Sequence, residues 1–338
     1  MTINNRIIWI DWTKSVCMFL VVLGHCHVQT SMHLVTQVIY SFHIPLFFFI
    51  SGLLCPKRFS RTTLLKDIRY IIIPYYFFGI LQIFIHSLLS KDFSYYFFLT
   101  KLKSLCIGDD VSIGAIWFLF ALFICKQLYY LLQMIGRESY PTHTLFLILS
   151  LLPAYYISSF HINLPLFADS ALFGLPFFLL GSKSLKYIEE IRPEKTLGIS
   201  LITTVSFVLT VILSIYNGFV SIAVCNYGNY LLLYYLNAMT GIAAIIGMSL
   251  LQRNNYKSFI LITSYGTIVT LGLHGTILLF LQYYIPKLIG FYTTSVNLPI
   301  AILYTSITYA TCYIIIILGN KYCPQLLGLK GNLPHKSK

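Results

Sequence analysis

Ten apolar runs, each about as long as a helix that crosses a bilayer, dominate this chain. They lie near residues 7–28, 35–54, 70–89, 113–135, 143–160, 165–182, 197–216, 230–251, 259–283 and 298–319. A span takes roughly 20 mostly apolar residues, because lipid offers no partner for a bare peptide group and a helix satisfies its own backbone. The expected fold is therefore all-α: a polytopic membrane protein of about ten transmembrane helices, forming a single domain over residues 1–338. The fifth and sixth runs are the weakest, one broken by Pro153 and the other carrying Asp169 and Pro176. The first carries Asp11 and Lys14 and lacks a small-residue cleavage site, which argues for a retained helix and against a cleaved signal.

Charge placement tests the count. With ten spans and a cytoplasmic N-terminus, the inner segments hold 17 of the 23 Lys and Arg, while the outer loops hold only Lys91, Lys101, Lys103 and Lys287. Lys14 and Lys126 fall inside spans. Merging or splitting one helix would invert every later loop and erase this asymmetry, so both termini are expected on the cytoplasmic side. The longest outer loop is expected near 90–112. The formal net charge of +13 is thereby explained as membrane orientation, and no nucleic-acid partner is expected. Charged residues make up 10% of the chain against roughly 25% in an ordinary soluble domain, which rules out a soluble fold.

The eight cysteines include no Cys-x-x-Cys pair, so neither a zinc nor a redox site is expected, and most read as small apolar fillers. Cys106 and Cys225 fall in loops on the same outer side, and a disulfide between them is left open.

Ionisable side chains inside a span are costly and often mark function. Asp11 and Lys14 are three residues apart on the first helix and can pair on one face. Lys14 and His25 are eleven apart, close to three turns, and share a face at about 16 Å along the axis. Lys14 thus lies in the inner half and His25 near the outer end. Lys14 equally fits a side chain snorkelling to the inner interface, and His25 one that simply sits at the outer interface. The second helix carries Ser41-Phe42-His43-Ile44-Pro45 and Ser51-Gly52, so His43 is expected to neighbour His25 across a short turn, and Pro45 and Gly52 permit bending and close backbone approach. His274 lies in the outer half of the ninth span. Lys66 and Arg69, three apart at the start of the third helix, could grip phosphate groups from the cytoplasm. Plain positive-inside anchoring, or contact with anionic lipid, accounts for them as well.

The stretch from Trp9 to Gly52, with Ile10-Asp11-Trp12-Thr13-Lys14, Val21 to His25 and Phe42 to Gly52, resembles membrane acyltransferase family 3, closest to its fucose 4-O-acetylase-like branch. The resemblance continues through Lys66 to Tyr75 and Ile116-Trp117-Phe118-Leu119, and more faintly to His274. It implies O-acylation of a sugar hydroxyl, usually acetylation, with acetyl-CoA as a donor substrate and no tightly bound cofactor. It implies that His25 is the essential histidine and that Lys66 and Arg69 are the donor-side basic pair. Ser15 stands where the family usually has Gly, and Lys66 where many members have Arg; a lysine cannot make the two-pronged contact of a guanidinium.

On this reading His25 activates the acceptor hydroxyl or carries the acyl group transiently, and His43, Trp117 and His274 line the acceptor site. Asp11 and Lys14 lie between the donor mouth and His25, a gap that an extended pantetheine arm would bridge. Expected partners are acyl-CoA, a sugar or polysaccharide acceptor and membrane lipid, in the cell (inner or plasma) membrane, with homo-oligomer formation left open. The rival class is a polysaccharide or lipid-linked-sugar transporter without acyl-transfer chemistry, which would more often show matched, interrupted helices.

Overall fold

The computed structural model describes residues 6–26, 33–89, 95–110, 113–136, 140–160, 164–191, 195–255, 257–288, 297–330 and 333. The described chain is almost wholly helical. In order it forms α1 (Ile8–Gly24), α2 (His33–Leu53), α3 (Arg61–Asp67), α4 (Ile73–Leu89), α5 (Tyr95–Ile107), α6 (Trp117–Gly136), α7 (Tyr140–Phe160), α8 (Ala168–Glu189) and α9 (Thr196–Asn217). After a small two-stranded hairpin, β1 (Val220–Ser221) paired with β2 (Asn226–Tyr227), come α10 (Leu231–Leu251), α11 (Ser258–Tyr265), α12 (Thr267–Leu279), α13 (Ile285–Leu288) and α14 (Leu298–Tyr322). Among the described residues nine helical stretches are long and apolar enough to cross a membrane, and α1, at 17 residues, makes the tenth apolar helix. All ten expected spans are helical, and the chain is an all-α, multi-pass membrane protein.

Three details depart from the sequence reading. The third span begins at Arg61, not near 70: α3 runs through a π-helical turn at Ile68–Ile72 into α4, so Lys66 and Arg69 lie within the helix and not at its start. The expected outer loop near 90–112 contains helix α5, part of it lying outside the described residues. The ninth span is not continuous. It breaks at Gly266 between α11 and α12 and widens into a second π-turn at Phe280–Tyr284. A side chain on Gly266 would run into Ile316 of α14, so the break also lets two helices approach closely. The acid in the weak sixth run has a local explanation. Asp169 lies in the first turn of α8, where its carboxylate accepts the Leu164 N–H at 3.1 Å and favours the positive end of the helix.

The chain divides into two compact units. One comprises Met1–His43, Pro193–Gly218 and Leu236–Lys338; the other comprises Ile44–Arg192 and Phe219–Tyr235. In the first, α1 is stitched to α11 and α14 by buried hydroxyls. Ser15 Oγ lies 2.7 Å from Thr263 Oγ1 and 3.0 Å from Tyr309 OH, which itself donates to the Ser15 carbonyl at 2.7 Å. A second buried polar set joins the first half of α2 to α9 and α10. The Gln37 amide donates to the Ser214 carbonyl, Ser214 Oγ donates to Ser41 Oγ at 3.3 Å, and the Asn237 amide bonds Ser214 Oγ at 2.9 Å. Within an apolar bundle such bonds fix rotation and height where apolar packing alone would let helices slide.

In the second unit, the second half of α2 packs on α8 through glycines. A Cβ on Gly52 would strike the Phe178 carbonyl, one on Gly181 the Phe49 carbonyl, and one on Gly174 the Phe48 ring. Gly52 thus does provide the close backbone approach read from its sequence. Cys106 and Cys225 are both free thiols. Cys225 Sγ donates to Asp169 Oδ2 at 3.4 Å, and burial together with that carboxylate pushes the thiol up to about 12.

Candidate active site

The histidines singled out in the sequence meet in the first unit. Helix α1 ends at Gly24, and His25 caps it, its backbone N–H bonded to the Val21 and Val22 carbonyls at 3.1 and 3.2 Å. Gly24 matters here for space: a Cβ would sit 3.0 Å from Cε2 of Tyr40, so its absence lets the Tyr40 ring lie close to the helix end. The Tyr40 ring is 5.8 Å from that of His25 and 4.9 Å from that of His43, one turn further along α2. The His274 ring, from α12, meets His25 edge-on with centroids 4.8 Å apart and planes at 83°. His43 and His274 are buried, while His25 is half-buried.

All three imidazoles are held in the same way. Nδ1 of His25 lies 2.8 Å from the Val21 carbonyl, Nδ1 of His43 lies 2.8 Å from that of Ile39, and Nδ1 of His274 lies 2.9 Å from that of Thr270. A carbonyl can only accept, so each Nδ1 carries a proton, and each ring, when neutral, presents Nε2 as its basic atom. His274 Nε2 is buried and has no hydrogen-bond partner among the described residues. The helix thereby sets both the tautomer and the ring direction, a task that a separate carboxylate performs in many histidine-dependent enzymes.

The N-terminal end of α1 differs from the sequence reading. Asp11 does not form its ion pair with Lys14. Arg6 grips the carboxylate with two prongs, Nη2 to Oδ1 at 2.5 Å and Nε to Oδ2 at 3.0 Å, and Ser264 Oγ donates to Oδ1 at 2.6 Å. Asp11 can take both because Arg6 precedes the first turn and folds back along it, while Ser264 enters from α11. Lys14 is half-buried, and Asp11, Arg6 and Lys330 are the charges that act on it. Trp12 donates its indole N–H to the Asn255 carbonyl at 2.8 Å, anchoring this end of α1.

Lys66, Arg69 and Trp117 belong to the other unit. Lys66 and Arg69 are both exposed, on either side of the start of the π-turn. Trp117, the first residue of α6, is buried, with its ring 6.2 Å from that of Phe167.

Two features escaped sequence reasoning. Tyr40 precedes His43 by one helical turn, a spacing that the sequence carries but that no charge marks. Asp67 pairs with Lys126 across 59 residues, which no local pattern announces. Among the described residues no group of three or more His, Cys, Asp or Glu is placed to hold a metal ion.

A multi-pass helical bundle with a histidine cluster at the end of its first helix suits proton transfer to and from a hydroxyl or thiol. Comparison with known proteins makes the class specific: the family model described as an acyltransferase domain, Acyl_transf_3, matches residues 7–317. The chain belongs to this family of membrane acyltransferases. No curated protein and no solved structure matches it.

Proposed function

We propose that this protein O-acetylates a sugar hydroxyl on a cell-surface polysaccharide or its lipid-linked precursor, with acetyl-CoA as donor, in the cell membrane. Within the family, the N-terminal motifs point toward the fucose 4-O-acetylase-like branch. The observation that carries the mechanism is the shared tautomer of His25 and His274, whose rings touch while both Nδ1 atoms are committed to backbone carbonyls.

In the proposed reaction, His25 Nε2 takes the proton of the acceptor hydroxyl as its oxygen attacks the thioester carbonyl carbon. The C–S bond then breaks, and the imidazolium returns the proton to the departing thiolate. General base catalysis of this kind contributes about 10²–10⁴ in rate. The Val21 carbonyl bonded to Nδ1–H holds the ring in the productive tautomer and favours its transient positive charge. His274 and His43 are assigned to the acceptor side, where Nε2 of His274 accepts a hydrogen bond from a neighbouring sugar hydroxyl. Lys66 and Arg69 are assigned to the donor's phosphates. Asp11, fixed by Arg6 and Ser264, holds the inner end of α1 in place beside Lys14. Trp117 keeps only the support that the resemblance gives it.

The test is a transfer assay with membranes containing the full-length chain, [14C]acetyl-CoA and glycan extracted from a strain lacking the gene. Label that enters the glycan as an alkali-labile ester supports the proposal. Absence of label, with the protein present and inserted, would sink it and leave acyl transfer with a different donor or acceptor in its place.

A further inference from the structure

The segment carrying Lys66 and Arg69 has an inverted burial pattern. From Leu65 to Arg69, the leucine, the isoleucine and both cations are exposed, and the single acid, Asp67, is buried. Nothing about an isolated helix in or near lipid turns a carboxylate inward past exposed Leu65 and Ile68. The cause lies on α6: Lys126 Nζ reaches Asp67 Oδ1 in an ion pair whose side chains are 14% and 9% exposed. Lys126 was itself unexplained by the sequence, a lone cation within an apolar span.

The pair sits at a mechanical junction. The start of α3 is fixed by a capping box, with the Ser60 side chain accepting the Thr63 N–H at 3.1 Å and Thr63 Oγ1 accepting the Ser60 N–H at 2.9 Å. Phe59, just before it, packs on the Tyr130 ring at 5.6 Å, and Cys55 donates to the Tyr130 hydroxyl at 3.4 Å. Asp67 is the last residue of α3, and the π-turn begins at the next. A π-turn widens the ladder and leaves the helix locally less constrained, which is why such turns recur at functional sites. Without a tether at residue 67 the rotation of α3 against α4, and with it the spacing of Lys66 and Arg69, would be free to vary. Asp67 Oδ2 is buried with no hydrogen-bond partner among the described residues. That atom costs stability, so the pair is a poor way to gain stability and a good way to fix an angle.

Resting on the assignment of Lys66 and Arg69 to the donor's phosphates, we infer that Asp67 and Lys126 are positioning residues that hold those two cations at phosphate-binding spacing. Neither touches the donor. Lysine and arginine heads carry much conformational entropy, and a ligand that must first order them binds more weakly.

The test measures binding of coenzyme A and of pantetheine, which lacks the phosphates, to the purified full-length chain in detergent. The Lys66→Met/Arg69→Met variant should lose coenzyme A affinity and keep that for pantetheine. The Asp67→Asn/Lys126→Met variant leaves no orphan charge and so should fold; it is expected to bind coenzyme A about tenfold or more weakly with pantetheine unchanged, as for a displaced binding group. Lys126→Arg, which keeps the pair, should restore binding to near native. If the first variant shows the selective loss and the second binds both ligands as the native chain does, or loses both equally, the positioning role is overturned while the donor assignment stands. If the first variant shows no selective loss, the donor assignment itself falls and this inference with it.

Discussion

The two units hold the side chains proposed for acyl transfer by opposite means. In the unit with His25, each imidazole is fixed by a carbonyl four residues earlier on its own helix. In the unit with Lys66 and Arg69, the nearby anchor is a buried pair whose members are 59 residues apart. A short-range lock survives small shifts between helices, because ring and carbonyl move together. A long-range lock transmits every such shift. The first unit is therefore expected to tolerate disturbance of its helix contacts, and the second is not.

The largest effect expected from this contrast is on stability. Lys126→Met leaves the Asp67 carboxylate buried and alone, and removing one member of a buried pair costs about 3–5 kcal/mol. Thermal unfolding in detergent should show a large drop in midpoint, mostly recovered by adding Asp67→Asn; an unchanged midpoint would break the comparison. Next in size is His274→Ala. It removes the ring that meets His25 but leaves the Val21 lock intact, so acyl transfer should fall about a hundredfold, roughly 2.7 kcal/mol in barrier. The buried ring also leaves a cavity, so the melting midpoint should fall as well, and transfer is compared per folded protein. Tyr40→Leu deletes two ring contacts worth about 0.5–1.5 kcal/mol each and should slow transfer about tenfold. The smallest effect sharpens the contrast. Asn237→Leu cuts the buried polar set that joins α2, α9 and α10, yet interhelical hydrogen bonds in membranes average about 0.6 kcal/mol and reach about 1.7. A modest loss of stability with near-native transfer would fit a locally locked site; a collapse of activity would not.

The same contrast explains what was legible in the sequence. Ten spans could be read because each apolar run is a local property, and the helical state follows from the absence of backbone partners in lipid. The histidine cluster was legible in outline because His25 and His43 flank one short connection, and helical spacing puts Tyr40 beside His43. Two things were hidden. Asp11 and Lys14 had the spacing of a pair, but spacing lists only local suitors; Arg6 and Ser264 outcompete Lys14 with a two-pronged grip and a neutral donor. The break at Gly266 was concealed because a glycine inside a long apolar run reads the same whether or not the helix continues. Its consequence appears only against Ile316, fifty residues away.

The proposed acyl transfer depends on the imidazole at the end of α1 as the proton acceptor. The measurement that meets it most directly compares native and His25→Ala protein in the [14C]acetyl transfer assay, with both shown to be inserted and to bind coenzyme A equally. Transfer in the variant should fall by about a hundredfold or more. A rate within tenfold of native, from a protein that still binds the donor, would contradict it.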